Sequence, residues 1–294
     1  MTLTLRPLHP LFAAEASGVD LTRPLDPAEV AAVNAAMDQH AVLVFRNQPM
    51  EQAQQVAMAT QFGPLNPGLK QIGRTAERLK EAALIDISNL DAEGRPLPRD
   101  SKKIVSGLAN QLWHSDSSFQ APAVSYSMLS AVVLPSWGGE TEFVDLRAAW
   151  DALPARLQRQ VEGLEAEHFA LHSRMTLLGD TDYTPEQLAA LPAVVWPLVR
   201  THPGSGRRLL FCGIHARRIL GMGTAEGKML LMDLLEHATQ PQFRYRHEWQ
   251  VGDLVMWDNR STLHRGRRYD LAEPRELRRT TCDQVPAERA RHAA

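Results

Sequence analysis

Trp257-Asp258-Asn259-Arg260-Ser261-Thr262-Leu263-His264 is followed, after a polar turn, by Arg275-Glu276-Leu277-Arg278-Arg279-Thr280-Thr281. In the second segment Arg275, Leu277, Arg279 and Thr281 alternate with Glu276, Arg278 and Thr280, which is the two-residue period of a strand. Arg275 and Arg279 then share a face, about 13 Å apart at roughly 3.3 Å per residue. Two guanidiniums turned inward are costly unless each meets an anion, and this separation suits two carboxylates better than one. A solvated face is the competing reading, and His264 alone reads equally well as a hydrogen-bonded structural histidine.

Two other segments gain meaning beside this one. In Trp113-His114-Ser115-Asp116 an extended backbone points residues i and i+2 to the same side, so His114 and Asp116 can converge on one ion. The chain has 11 His and 34 acidic residues, and about one such His-x-acid triplet is expected by chance. A histidine bonded to its neighbouring carboxylate therefore stays open. Pro135-Ser136-Trp137-Gly138-Gly139-Glu140-Thr141 is a glycine turn that leads into a strand bearing a hydroxyl.

Further out, Asp26-Pro27-Ala28-Glu29 reads as a helix start, with an acidic cap, Pro at the first helical position and Glu at the third. Val30, Val33 and Met37 continue an amphipathic helix. Ala41–Phe45 is a short apolar run that predicts a buried strand. A second helix is predicted over about 50–61, ending at Gly63-Pro64. Residues 66–104 are polar and poorly periodic around one strand-like segment, Leu84–Ser88, as in an active-site lid. Strands are predicted at Tyr126–Val133 and Asp253–Trp257. Helices are predicted near Leu146–Leu153, Pro154–Leu164 and Ala225–Ala238, the last capped by Thr224. The polar tail from Gln284 is expected to fray. Residues His202 and His215 lie near strand-like segments; each could line the pocket, with a structural or surface role the favoured reading. The whole is read as one domain over 1–294, mainly β with flanking helices (α+β).

Composition narrows the function classes. The 294 residues are 44% hydrophobic with a formal net charge of −2, which gives no electrostatic footprint for nucleic acid or an anionic membrane surface. No apolar run approaches the roughly 20 residues of a membrane span. The first residues lack a signal-peptide pattern, and the two cysteines, Cys212 and Cys282, form no metal or redox motif. A cytoplasmic protein is expected.

Taken together, these segments resemble the taurine dioxygenase family of Fe(II)/2-oxoglutarate dioxygenases. The resemblance is carried by H-x-D at 114–116, Thr141 after the glycine turn, the distal D-N-R…His264, and Arg275 and Arg279 beyond it. It extends from Val19-Asp20-Leu21 through Val42–Arg46 and Phe62-Gly63-Pro64 to Thr281. Within the family, Pro7–Ala14, Asn110–Gln120, Gly252–Arg260 and Leu263–Asp270 are most similar to members that cleave phenoxyalkanoate ethers. The resemblance implies a double-stranded β-helix, or jelly roll, with Fe(II) held by His114, Asp116 and His264. Two imidazoles and a carboxylate on one face leave coordination positions open, as non-heme iron oxygenases require.

The resemblance further implies 2-oxoglutarate as co-substrate with O2, its distal carboxylate on Arg275, Thr141 adding a hydroxyl, and Asn110 nearby. The implied reaction hydroxylates the ether carbon of a phenoxyalkanoate such as 2,4-dichlorophenoxyacetate, giving phenol, glyoxylate, succinate and CO2. The substrate is then a small anionic aromatic, with Arg279, Lys70 and Arg95 as candidate contacts for its carboxylate. Arg95 stands where that branch has a lysine, and a planar fork is not interchangeable with a point charge. Family habit implies a homo-oligomer. Three alternatives remain beside this: the same chemistry on taurine or another small anion, a zinc hydrolase, and an inactive jelly-roll binding module. The hydrolase helix motif H-E-x-x-H is absent.

Overall fold

The computed structural model describes residues 2–66, 68, 78–179, 183–285 and 291–292. In chain order the elements are β1 (Thr4–Pro7), β2 (Ala14–Ser17), α1 (Pro27–His40), β3 (Val42–Phe45), α2 (Gln52–Thr60), β4 (Ile85–Ser88) and α3 (Lys102–Gly107). There follow β5 (Val124–Val133), β6 (Thr141–Asp145), α4 (Leu146–Asp151), α5 (Ala155–Val161), β7 (Glu165–His168), α6 (His172–Leu178) and α7 (Pro185–Ala189). The remainder comprises β8 (Val194–Pro197), β9 (Val199–Thr201), β10 (Arg208–Leu210), β11 (Ala216–Ile219), α8 (Thr224–Ala238), β12 (Arg244–His247), β13 (Leu254–Asp258), β14 (Thr262–Gly266), β15 (Glu276–Asp283) and β16 (Arg291–His292).

A seven-stranded sheet runs β1-β2-β3-β13-β5-β15-β4, and a three-stranded sheet runs β12-β6-β14. All pairings in the larger sheet are antiparallel except β2 with β3. Alternation along the central strands decides what covers each side. Leu43, Phe45, Tyr126, Met128, Leu254 and Met256 face one way and pack with Val33 and Met37 of α1 and Met58 and Ala59 of α2. Val42, Val44, Leu129, Val255, Trp257 and Leu277 face the other way and pack with Phe143 of β6. Two sheets thus enclose a core, with helices on the outer side of the larger one, which is the jelly-roll arrangement. A separate cluster joins β8 and β10 to α4 and α8 through Leu146, Trp150, Trp196, Leu210, Leu230 and Leu234.

Local chemistry sets the element ends. Asp26 accepts from the Glu29 N–H while the Glu29 carboxylate accepts from the Asp26 N–H, a reciprocal cap with Pro27 as the first helical residue. The helix stops where Ala41 turns left-handed and donates to the Met37 carbonyl.

Within the 66–104 segment, the strand-like stretch read at Leu84–Ser88 holds β4, which pairs with β15, and α3 follows it. One expectation changes. Thr224 does not cap α8; it is the first helical residue, and Gly223 holds the cap position. Near the C-terminal end, the Gln284 N–H donates to the Ala123 carbonyl at 3.0 Å. Residues 291 and 292 then pair with Val195 and Val194 of β8, whose open edge offers the hydrogen bonds a tail would otherwise leave to water. Among the described residues no helix is long and apolar enough to cross a membrane.

Both cysteines are buried and unpaired, and burial pushes each thiol up to about 12. Because the thiolate is the reactive form, the native protein at pH 8 should release no colour with a thiol-exchange reagent, and two equivalents should react after denaturation. Rapid reaction of the folded protein would contradict this burial.

Candidate active site

His114 and His264 meet as a two-residue antiparallel bridge. Each backbone N–H donates to the other's carbonyl, at 3.1 and 2.8 Å, which sets the ring centroids 4.2 Å apart. Asp116, two residues on, turns its carboxylate to the same spot: Oδ1 lies 4.0 Å from His114 Nε2 and Oδ2 lies 3.8 Å from His264 Nε2. These separations exceed hydrogen-bond distances, so the reading of a histidine bonded to its neighbouring carboxylate does not hold. The three ligand atoms lie within 4.8 Å of one another, as donors to one ion with bonds of roughly 2 Å would. His114 Nδ1 is 2.7 Å from the Leu112 carbonyl; donation there fixes the tautomer and leaves Nε2 with its lone pair toward the common point. Burial holds both imidazoles below their ordinary range, with the Asp116 charge opposing it. They are therefore neutral and able to coordinate at neutral pH.

The carboxylate is held from several sides. Ser127 donates to Oδ2 at 2.7 Å and Arg279 Nη1 to Oδ1 at 2.5 Å. Burial alone would raise the Asp116 carboxyl, but Arg279 and the two imidazoles outweigh it and hold it well below the usual range. Asn259 Oδ1 accepts from the Asp116 N–H and from the Trp257 indole, each at 3.0 Å, and its amide donates to Ser127 Oγ at 2.9 Å. Sheet register explains the convergence, since Thr281, Ser127 and Trp257 lie in one row and Arg279 beside Leu129. Ser127 and Asn259 were not picked out from the sequence. Asn259 stood in the D-N-R run, whereas no local signal marks Ser127.

Two cavities flank this centre and share Ile87, Asn110, His114 and Arg279 as their partition. The first, of about 180 Å³, reaches Thr141, Tyr269 and Arg275. Arg275 is 7% exposed; its Nη2 donates to the Gly139 carbonyl at 3.0 Å, and its guanidinium lies 5.0 Å from the Tyr269 ring. Nε has no partner among the described residues, and burial lowers this arginine to about 10, so it stays charged at neutral pH. A buried cation with only a carbonyl and a ring face beside it is a receptor for an anion. A Cβ on Gly139 would come within 2.9 Å of that Nε, and Gly139 has φ of +77°. Thr141 Oγ1 accepts from the Trp249 indole at 3.1 Å, which leaves its hydroxyl proton to donate.

The second cavity, of about 300 Å³, is walled by Asp116, Phe119, Ser173, Arg174 and His215 together with the partition. His215 is buried, edge-on to Phe119 at 4.8 Å, with Nδ1 unpartnered among the described residues. It lines the cavity, the less favoured of its two readings. His202 is structural, with Nε2 2.9 Å from Asp258. The Arg95 side chain is 71% exposed, lines neither cavity, and is held by Asp91 and Glu93 at 3.1 and 3.0 Å. These nearby acids close a local turn around it. Lys70 lies outside the described residues.

The donor set fits a divalent metal with His114, Asp116 and His264 as ligands, because the imidazoles are neutral and the carboxylate ionised. Ser127→Ala removes a bond that orients the carboxylate. It should weaken Mn(II) binding about tenfold in calorimetric titration, and an unchanged affinity would remove Ser127 from that role.

The chain matches the family described as taurine catabolism dioxygenase TauD, TfdA over residues 4–281. It is 58% identical over 281 residues to the alpha-ketoglutarate-dependent 2,4-dichlorophenoxyacetate dioxygenase of Cupriavidus pinatubonensis, covering 96% of this chain and 98% of that one. It is 37% identical to the (S)-phenoxypropionate/alpha-ketoglutarate-dioxygenase of Sphingobium herbicidovorans, covering 92% and 91%. Among solved structures, AAD-2 in complex with Mn(II) and N-oxalylglycine superposes with a TM-score of 0.90 at 44% identity, covering 98% of each chain. The chain is therefore a member of the TauD, TfdA dioxygenase family.

Proposed function

We propose that this protein is a 2-oxoglutarate-dependent, mononuclear non-heme iron dioxygenase that hydroxylates the ether carbon of phenoxyalkanoates such as 2,4-dichlorophenoxyacetate. The observation that carries the reading is the pair of cavities meeting at His114, Asp116 and His264, one ending on a buried arginine and the other walled by an aromatic ring and cations. Relatives named for 2,4-dichlorophenoxyacetate and for phenoxypropionate support the substrate class. Iron(II) bound with 2-oxoglutarate and O2 would supply the oxidation that places a hydroxyl on the ether carbon, and the resulting hemiacetal falls apart to phenol and glyoxylate.

The protein's own part is positional. Arg275 would take the distal carboxylate of 2-oxoglutarate through its fork, with the Thr141 hydroxyl as a second donor and Gly139 keeping the approach open. Asn110, on the partition, faces both ligands. Arg279 ties the metal-ligand carboxylate to the substrate side. Phe119 and Ile87 offer an apolar wall for an aryl ring and keep water from the reacting carbon. Holding that carbon in place matters because a misplacement of about 1 Å costs roughly 10²-fold in rate. The reading treats the chain as one domain, since the cavities are walled by residues from Ile85 to Arg279. It also takes the enzyme to be a cytoplasmic homo-oligomer, in keeping with two free buried cysteines.

Protein prepared anaerobically with Fe(II) should consume O2 and 2-oxoglutarate and release 2,4-dichlorophenol and succinate in equal amounts from 2,4-dichlorophenoxyacetate. Preferential turnover of taurine, or phenol release without O2, would overturn the reading. Gly139→Ala should raise KM for 2-oxoglutarate at least tenfold, by displacing the Arg275 fork, while KM for the aryloxyacetate stays within about twofold.

A further inference from the structure

The second cavity holds a cation that no sequence pattern singled out. Arg174 is half-buried on α6, next to the buried Ser173, and both line the same cavity as Arg279. The charges around this cavity are unevenly matched. The Asp116 carboxylate is already met by Arg279 Nη1 at 2.5 Å and by Ser127. Arg279 therefore enters the cavity with one face of its fork committed, and its buried Nε has no partner among the described residues. Asp116 is the one carboxylate among the described lining residues, so with Arg279 set against it Arg174 leaves the wall net positive.

Ile85, Ile87, Ala109 and Phe119 give the wall an apolar and aromatic part, beside the polar Asn110, Ser117 and Ser173. A cavity with an aromatic side and a cationic side fits a flat acid with its ring on one and its carboxylate on the other. Arg95 does not complete it, since it is paired at the surface with Asp91 and Glu93.

We infer that Arg174 is a specificity-determining residue which, in the same cavity as Arg279, binds the carboxylate of the aryloxyalkanoate. This rests on the second cavity being the substrate cavity. The division of roles is then definite. Arg279 serves both the metal-ligand carboxylate and the substrate, whereas Arg174 serves the substrate alone. Discrimination between an aryloxy acid and a neutral aryl ether of the same shape depends on Arg174.

The test compares wild type, Arg174→Gln and Arg174→Lys as holoenzymes with Mn(II) and 2-oxoglutarate, where calorimetry reads phenoxyacetate binding without turnover. Arg174→Gln should weaken phenoxyacetate at least tenfold, as loss of a charge-assisted pair does, and Arg174→Lys should recover part of it. Affinity for Mn(II) and for 2-oxoglutarate should stay within twofold, and with Fe(II) the loss should fall on KM for the aryloxyacetate. Binding of the neutral analogue 2-phenoxyethanol should not change. Equal phenoxyacetate affinity in wild type and Arg174→Gln would overturn the inference and leave the proposed function standing. A parallel loss of 2-oxoglutarate affinity would also overturn it, by showing a general structural role. If the wild type bound 2-oxoglutarate but no aryloxyacetate, the proposed function would fail and this inference with it.

Discussion

The reciprocal backbone bonds between His114 and His264 are the constraint on which the site depends. They join a segment outside the sheets to the middle of β14 in the three-stranded sheet, and they do so through main-chain atoms. The imidazoles are thereby held side by side before any ion is considered. Asp116 follows because two residues of extended chain return to the same face. Bringing two neutral rings and a carboxylate together in a buried place would be unfavourable without a surrounding frame, and Ser127, Asn259 and Arg279 are that frame.

The frame is a product of sheet register. The central strands send one set of side chains to the helices and the other to the interior between the sheets. On the interior side a row of large apolar groups gives way to polar ones where the cavities begin, with Ser127 opposite Trp257 and Thr281, and Arg279 opposite Leu129. A slip of one residue in β5 or β15 would turn these groups toward α1 and α2 and bury the apolar set against the ligands. Asp116, Ser127 and Asn259 bond to one another within this network, whereas Arg279 Nε and His264 Nδ1 have no partner among the described residues.

Much of this was legible in the amino-acid sequence, and the remainder was not for identifiable reasons. The strand alternation at 275–281, the His-x-Asp triplet and the reciprocal cap at Asp26 and Glu29 are short-range patterns, and the structure has them. The thought that two inward arginines must each meet an anion also proved useful. One of the anions is internal, the Asp116 carboxylate, which a count of spacings could not reveal. Ser127, Arg174 and His215 come to the site by tertiary contact alone, with nothing beside them in the chain to mark them. Arg95 has acids beside it in the chain, Asp91 and Glu93, that pair with it locally. In the polar tail, residues 291 and 292 pair with the edge of β8, which composition alone does not signal.

The common partition has an implication for ancestry. Thr141 opens β6, Arg275 immediately precedes β15, and Tyr269 lies in the connection before it, so all three belong to the ends of the two sheets. Arg174, Ser173 and His215 come from a short helix and a turn at the periphery. Heritable variation in these outlying pieces can retune which acid is degraded while the oxidising half of the machine is passed on untouched, so descendants of one scaffold can acquire new diets cheaply. Arg279 and Asn110, which belong to both halves, are where such divergence meets its limit.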